Sequence, residues 1–517
     1  MDTSPKGKKT RSFAFPKIKK ILNATAYASG YALGGGVAQI QTLYYMNFLL
    51  YAMIIPAWQV AIILGVSKLW DGFIDPIIGV FVDKTKSKLG NCRPWILVSV
   101  VPIFITYFML WYNFGITGEA ARFVYFFFAQ ILFSTASSIG TVPYEALLPR
   151  MVDGYNERTN FSAFRMIFSG IYAVGCTWIY SAVINVKDLG EYHLHTKEFM
   201  TLGLLFGVMF SIPMLTTFLG TKETAKVPSD EKLSVKNVFK SYAQLLKSKL
   251  YRKFYTLNML GSFISYCTSI SLVIFVLLVY GDLNPVPLIG GLTLPLALSF
   301  LTVNLRGAFE IGFFVPNLLM MKKFNKQFPL KVDLPLLFIG CIILLFTGKN
   351  VPVIIPLTGI AFLGAGISCL SIVPSTLIPD LPDIDELIYG KRREGESAGL
   401  LTLGKQLVQG LCFLIFGFVL EAFKLSEETA SPDIADARTL TAVKIMLCLL
   451  PFVGIVAMYF VSKSYNLDAK NHALIKARIA EKHEKGFAEV LEDEQKIFSQ
   501  ITGIEYKELW IAQKENS

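Results

Sequence analysis

The chain has 517 residues, 53% of them hydrophobic and 17% charged, with mean hydropathy +0.51, a composition that excludes a water-soluble domain and marks an integral membrane protein. A net charge of +11 would suggest nucleic acid in a soluble protein, but here Lys and Arg collect in alternate loops, so the charge is topology and no nucleic-acid partner is expected. The cysteines (Cys92, Cys176, Cys267, Cys341, Cys369, Cys412 and Cys448) are dispersed without paired spacing, which implies neither a disulfide framework nor a thiolate metal site.

Inside lipid only helices or closed barrels satisfy the backbone, and the apolar runs divide into about twelve stretches of helical length, so the expected fold class is all-α. Residues 1–23 form a basic arm (Lys6, Lys8, Lys9, Arg11, Lys17, Lys19, Lys20) that the positive-inside rule places in the cytoplasm. The arm lacks the features of a signal peptide, so the mature chain is expected to start near Met1. The N-terminal six-helix half then covers 24–220. Its first span, about Ala24 to Ile54, carries Tyr31-Ala-Leu-Gly34-Gly35-Gly36-Val-Ala-Gln39 and then Gln41. The glycines permit close approach of a helix or a ligand, and Gln39 in lipid needs a polar partner.

The second span holds Ser67-Lys68-Leu69-Trp70-Asp71-Gly72-Phe73-Ile74-Asp75-Pro76 inside an apolar run from Trp58 to Val82. At helical rise that run is about 37 Å long, which puts Asp71 and Asp75 well inside the hydrocarbon. Their spacing stacks both on one helix face with Lys68 on the same stripe. Each charge at that depth costs about 2.5–3.5 kcal/mol on insertion scales, so it must face water or hold a counter-charge. A purely structural Lys68–Asp71 pair would account for one carboxylate and leave Asp75 unpaired. A site for Na⁺ or H⁺ on Asp71 and Asp75 accounts for both.

The loop from Asp83 to Trp95 is short and basic with a turn glycine at Gly90, and it reads as cytoplasmic. Span four runs from about Phe123 into Gly140-Thr141-Val142-Pro143-Tyr144-Glu145, where Pro143 frees a carbonyl. Span five carries Arg165, which either snorkels to the surface or pairs with Glu145. His193 and His195 lie in a loop that reads as solvated and external, not as a metal site. Residues 221–253 form a basic linker with an amphipathic stretch from Val235 to Leu250, suited to the inner membrane surface.

The C-terminal half, 254–463, repeats the plan. Span eight holds Asn304, Arg306 and Glu310; the last two either neutralise each other or leave Arg306 to hold a substrate anion. A mixed-charge stretch from Asp380 to Ser397 could latch a cytoplasmic gate. Span eleven carries Lys405 with Gln406 and Gln409, and a lysine so deep needs an anionic neighbour, for which Asp71 and Asp75 are the expected partners. Residues 464–517 read as a charged, partly helical cytoplasmic tail.

With these residues in place the chain resembles the glycoside-pentoside-hexuronide:cation symporters of the major facilitator superfamily. The matching pieces are Lys68-Leu-Trp-Asp71-Gly-Phe-Ile-Asp75-Pro76-Ile-Ile-Gly79, Asp83-x-Thr85-x-Ser87 through Gly90 to Arg93-Pro94-Trp95, and Pro143-Tyr144 followed by Glu157-Arg158. Arg392-Arg393-Glu394-Gly395 with Lys405, and Tyr465-Asn466-Leu467, complete the set. The resemblance implies a major facilitator fold of twelve transmembrane helices in two six-helix halves. It also implies that Asp71 and Asp75 bind the coupling cation and that Lys405 sits near them, while Lys68 is placed beside Asp71 by the helical spacing. Where galactoside-transporting members have two aspartates and two tryptophans, this chain has Gln39, Thr141, Glu145 and Ser371. The pattern Tyr31-Ala-Leu-Gly34-Gly35 with Gln39 is similar to the animal sodium-dependent lysophosphatidylcholine symporters, a related branch.

The expected function is symport of a small organic substrate (a sugar, glycoside or uronide) with Na⁺, or with H⁺ or Li⁺, by a monomer in the lipid bilayer with both termini cytoplasmic and no cofactor. A lysophospholipid or other amphiphilic anion on the same scaffold is the alternative. Gln39, Thr141, Tyr144, Glu145, Arg165, Arg306, Glu310 and Ser371 are the candidate substrate-binding residues. No span contains His and no nucleophile–base pair is visible, so an enzyme is not expected.

Overall fold

A backbone in an apolar medium must bond to itself, and the computed structural model of the chain is helical almost throughout. It describes residues 15–152, 155–184, 193–223, 235–281, 283, 285–287, 293–294, 296–391, 393–423, 437–463, 467 and 469–513. The basic arm to Arg11, most of 221–234, and Arg392, Tyr465 and Asn466 of the matching motifs therefore lie outside the described residues, as do the side chains of Lys17, Lys19, Lys20, Glu157 and Arg158.

In chain order the first half comprises α1 (Phe15–Ser29), α2 (Ala38–Ile40), α3 (Ala57–Lys84), α4 (Arg93–Trp111), α5 (Glu119–Met151), α6 (Tyr155–Val183) and α7 (Thr196–Gly220). An amphipathic α8 (Val235–Leu245) leads to α9 (Lys249–Tyr280) and a short antiparallel ribbon, β1 (Val286–Pro287) with β2 (Thr293–Leu294). The second half continues through α10 (Leu298–Gly312), α11 (Phe314–Lys323), α12 (Phe328–Phe346), α13 (Ile354–Leu377), α14 (Leu381–Tyr389), α15 (Glu394–Ala422), α16 (Ala437–Lys444) and α17 (Leu450–Lys463). The tail adds α18 (Ala469–Lys485) and α19 (Glu492–Thr502).

Among the described residues ten helical segments are long and apolar enough to cross a membrane. The first two expected spans are not among them. The first is broken by three wide π-type segments at Leu33–Val37, Gln41–Tyr45 and Phe48–Ala52, and α3 carries Lys68, Asp71 and Asp75 in its interior.

Two features position the site. The first half meets the second where α3 packs along α15, α6 touches α10, and the wide turn at 41–45 rests on α9. The α3–α15 seam is made of small residues: a Cβ on Gly417 would collide with Ala61 and lie 2.7 Å from the Ala57 carbonyl, and one on Gly410 would lie 2.8 Å from the Gly65 carbonyl. The other feature is a set of charge clusters at the end of the bundle that carries the basic loops. Arg150 bridges Asp83 (2.6 Å) and Glu223 (3.4 Å), Lys326 pairs with Asp380 (2.6 Å), and Arg393 forks onto Asp385 (2.5 Å). Each of these clusters stays within its own half or its linker.

The tail is more ordered than its composition suggests. His472 meets Asp383 at 2.9 Å, His483 meets Glu386 at 2.6 Å, and Trp510 packs over Gly390, so α18 and the turns after α19 clasp α14. Within the tail, hydrogen bonds from Arg478 hold the Glu494 and Glu481 carboxyls below the usual carboxylate range.

Candidate cation site and adjoining cavity

On α3 the four-residue spacing stacks the acidic side chains as the helix requires, but their surroundings differ. Asp71, 7% exposed, has both oxygens engaged: Lys68 Nζ donates to Oδ2 at 2.9 Å, and the Ser134 hydroxyl of α5 donates to Oδ1. Asp75 accepts a bond from Gln406 Nε2 of α15 at 2.8 Å and lies beside the Ser138 hydroxyl of α5, while its Oδ1 is buried with no partner at hydrogen-bond geometry. The Lys68–Asp71 pair therefore exists, and it leaves Asp75 as the carboxylate with capacity to spare.

A cavity of about 230 Å³ opens against both carboxylates. Its polar wall is Gln41, Lys68, Asp71, Asp75, Gln130, Ser134, Ser137, Ser138, Thr141 and Gln406, and its apolar wall is Leu33, Val37, Ala38 and Phe133. Four buried polar atoms of these lining residues have no partner in the protein: Asp75 Oδ1, Gln130 Oε1, Gln406 Oε1 and Gln41 Nε2. Buried polar groups are nearly always satisfied, so a concentration of orphans around one cavity marks a place where water or a ligand completes the bonding. Three of the four are oxygens, the ligand type that a hard monovalent cation takes.

The sequence-predicted residues distribute over three places. Thr141 lines the cavity; Gln39 does not, and Gln41 stands there instead, because the wide turns of the first span rotate its side chains away from regular helical positions. Lys405 departs from expectation. It is exposed and forms no ion pair with Asp71 or Asp75; Gln406 reaches Asp75, and neighbours on a helix of 3.6 residues per turn point about 100° apart.

The second place is a cluster of α5, α6 and the first span. Arg165 pairs with Glu145 at 2.7 Å and lies over the Tyr31 ring at 4.5 Å, while Tyr144 is packed on Tyr27 and donates to its carbonyl at 3.0 Å. The third is in the second half, where Arg306 donates to Ser269 at 2.5 Å and meets Glu310 at 3.5 Å, and Ser371 donates to Glu310 at 3.0 Å. Sequence reading missed Gln130, Ser134, Ser137 and Ser138. Their signal was a polar stripe at helical spacing inside an otherwise apolar fourth span. Among the described residues no set of three or more His, Cys, Asp or Glu side chains converges on a metal-binding geometry, so a cation here would be held by carboxylate, amide and hydroxyl oxygens together.

Residues 26–469 match the family model described as MFS/sugar transport protein. The chain belongs to this transporter family. Over 472 aligned residues it is 25% identical to a putative sulfoquinovose importer of Escherichia coli, covering 90% of this chain and 94% of the importer. An uncharacterized symporter of Synechocystis is 25% identical over 77% of this chain and 85% of its own length. A sodium-dependent lysophosphatidylcholine symporter of Mus musculus is 30% identical, but over 30% of each chain. Among solved structures the nucleoside transporter NupG superposes with a TM-score of 0.62 at 12% identity, over 86% of this chain and 99% of that one. The xylose transporter XylE from E. coli, in an inward-open conformation, gives 0.56 at 12%, over 89% and 99%. The protein is thus a multi-pass membrane transporter of the major facilitator type and not an enzyme, and its substrate and ion are questions about the residues just described.

Proposed function

We propose that this transporter is a cation-coupled symporter in which Asp75, with Asp71 beside it, holds the coupling ion, Na⁺ in the first instance. The adjoining cavity takes the polar part of a small hydroxylated substrate, a sugar, glycoside or uronide. The observation that carries the reading is the buried Asp75 Oδ1 left without a partner at the edge of a cavity ringed by unpartnered amide groups. An unpaired carboxylate in a membrane span is costly, and a bound cation removes that cost.

The site also spans the two halves. Asp75 belongs to α3 and Gln406 to α15, so a cation bound between them favours the arrangement in which this seam is closed. Substrate bound among Gln41, Gln130 and Thr141 adds its own preference, and coupling is the difference in affinity of the two ligands between states. The basic loops would face the cytoplasm by the positive-inside rule.

The test is uptake into proteoliposomes of a neutral glycoside, a uronate, a sulfonated sugar and a lysophosphatidylcholine, each with and without an inward Na⁺ gradient. Sodium-stimulated uptake of one of the sugars is the expected result. Stimulation of lysophosphatidylcholine alone would transfer the reading to the lipid branch, which the 30% identity over part of the chain keeps in the panel. The polar wall of the cavity, with amides and hydroxyls from Gln41, Gln130, Ser137, Ser138 and Thr141, favours the sugar arm.

Gln406 offers a milder check. Gln406→Ala removes the unpartnered Oε1 from the wall of the site, and one oxygen ligand to a charged group is worth about 1.5 kcal/mol, so half-maximal stimulation should need about tenfold more Na⁺. An unchanged sodium requirement would detach Gln406 from the site.

A further inference from the structure

The second half contains a buried acid that the cation site does not use. Asp333 of α12 is 0% exposed, five residues into a span that reads Leu-Pro-Leu-Leu-Phe-Ile after it. Its Oδ2 accepts a bond from Asn317 Nδ2 of α11 at 2.6 Å, and the same amide nitrogen donates to Ser368 of α13 at 3.0 Å. Asp333 Oδ1 and Asn317 Oδ1 are both buried without partners, although Asn317 is likewise 0% exposed.

Among the described residues no cation faces this group. On α13 the titratable neighbour is the Cys369 thiol, whose main chain also lies within hydrogen-bonding reach of Asp333. The other titratable side chains on elements packed against α12 are Lys322 and Lys323 at the exposed end of α11, Cys448 on the wide turn 445–449, and Tyr459 and Lys463 at the exposed end of α17. Lys331 and Cys341 lie on α12 itself, and Lys326, just before it, is committed to Asp380. None of them pairs with Asp333.

An ionised carboxylate in such a place bears a desolvation cost of several kcal/mol that one amide and one main-chain contact do not offset. Sodium does not resolve the problem. Asp333 has no exposed surface through which an ion could reach it, whereas the cavity opens against Asp75. A proton needs no room. It turns one carboxylate oxygen into a donor in a site with two unpartnered acceptor oxygens, Asp333 Oδ1 and Asn317 Oδ1.

We propose that Asp333 is a proton-binding site, separate from the Asp71/Asp75 site, that is occupied in the conformation described here and empties when the α11–α12–α13 packing opens to water. The reaction is protonation of a carboxylate by hydronium, with water as the other product. Acid then favours the closed packing of the second half and alkali favours its opening, with a limiting slope of about tenfold in the equilibrium per pH unit. The transporter would respond to pH whichever ion drives it.

The experiment uses the purified full chain in detergent and needs no substrate. Infrared spectra at neutral pH should show a carboxylic-acid C=O band that shifts in D₂O, persists in Asp75→Asn and is missing in Asp333→Asn. The apparent Tm of the wild type should fall as pH rises from about 4, where a water-exposed aspartate ionises, towards neutrality, while that of Asp333→Asn, which mimics the neutral acid, should fall less over the same range. A wild-type spectrum without the band, or a band unaffected by Asp333→Asn, overturns the proposal. So does a pH dependence of Tm that survives the substitution unchanged. Because the band is read in Asp75→Asn as well, failure here and failure of the cation site are distinguishable.

Discussion

Asp75→Asn is expected to abolish ion-driven accumulation: in vesicles the ratio of internal to external substrate should fall to one, while exchange of substrate down its own gradient continues. The substitution keeps the side-chain volume and the capacity to bond Gln406, and it leaves the Lys68–Asp71 pair intact at 2.9 Å. What it removes is the charge on the carboxylate of this site that has an unengaged oxygen. A hydrogen bond or ligand bond to a charged group is worth about 1.5–3 kcal/mol, so losing it weakens cation binding by about 10- to 100-fold, enough to uncouple transport at physiological Na⁺. Undiminished sodium-driven uptake by this variant would falsify the cation assignment. Asp71→Asn is a poorer probe. It strands Lys68 in a span without its counter-charge, so a folding defect of about 3–5 kcal/mol would mask any effect on the ion.

The same contrast explains how much of the site could be read from sequence. Asp71, Asp75 and Lys68 were legible because a charge in an apolar run is improbable and helical spacing fixes which charges share a face. Their unequal roles were not legible. Whether a carboxylate is engaged depends on Ser134 of α5 and Gln406 of α15, residues 63 and 331 positions away along the chain. Lys405 shows the limit from the other side: depth in a span says that a lysine needs an explanation, but one residue of register decides whether it or Gln406 meets α3. Gln39 and Gln41 differ for a related reason, since wide π-type turns break the periodicity on which a face assignment rests. Asp333 went unnoticed because a single acid near the start of a span resembles an interfacial residue. Only the packing of α11 and α13 around it takes it to zero exposure. The Glu145–Arg165 and Arg306–Glu310 pairs were both legible as possibilities, because one lies at helical spacing and the other joins consecutive antiparallel spans.

Arg150→Ala should be the most destabilising single change at the basic end of the bundle. Arg150 stands where α3, α5 and the chain leaving α7 converge: it pairs with Asp83 at 2.6 Å and Glu223 at 3.4 Å and donates to the Cys92 sulfur at 3.2 Å. Glu223, whose side chain is 4% exposed, also accepts from the Cys92 main-chain N–H at 3.1 Å, and it lies so close to Gly90 that a Cβ there would overlap its carboxylate. Gly90 can occupy that position because its φ of 101° suits glycine. Burial pushes the Cys92 thiol up to about 12, so it stays neutral and cannot replace either carboxylate as the partner of the guanidinium. Removing the arginine leaves Glu223 buried and Asp83 half-buried with no counter-charge, at a cost of about 3 kcal/mol once the exposure of Asp83 is allowed for. The expected result is a lower apparent Tm in detergent and reduced yield from the membrane. Arg150→Lys should recover part of the loss, because a single ammonium reaches one carboxylate but cannot fork between two. The effect should be additive with that of Asp75→Asn, which lies two helical turns away on α3 in a cluster that shares no partner with this one. Strong non-additivity would mean that the basic end and the cation site report on one conformational equilibrium, with Arg150 holding the first half in the arrangement that Asp75 and Gln406 join to the second.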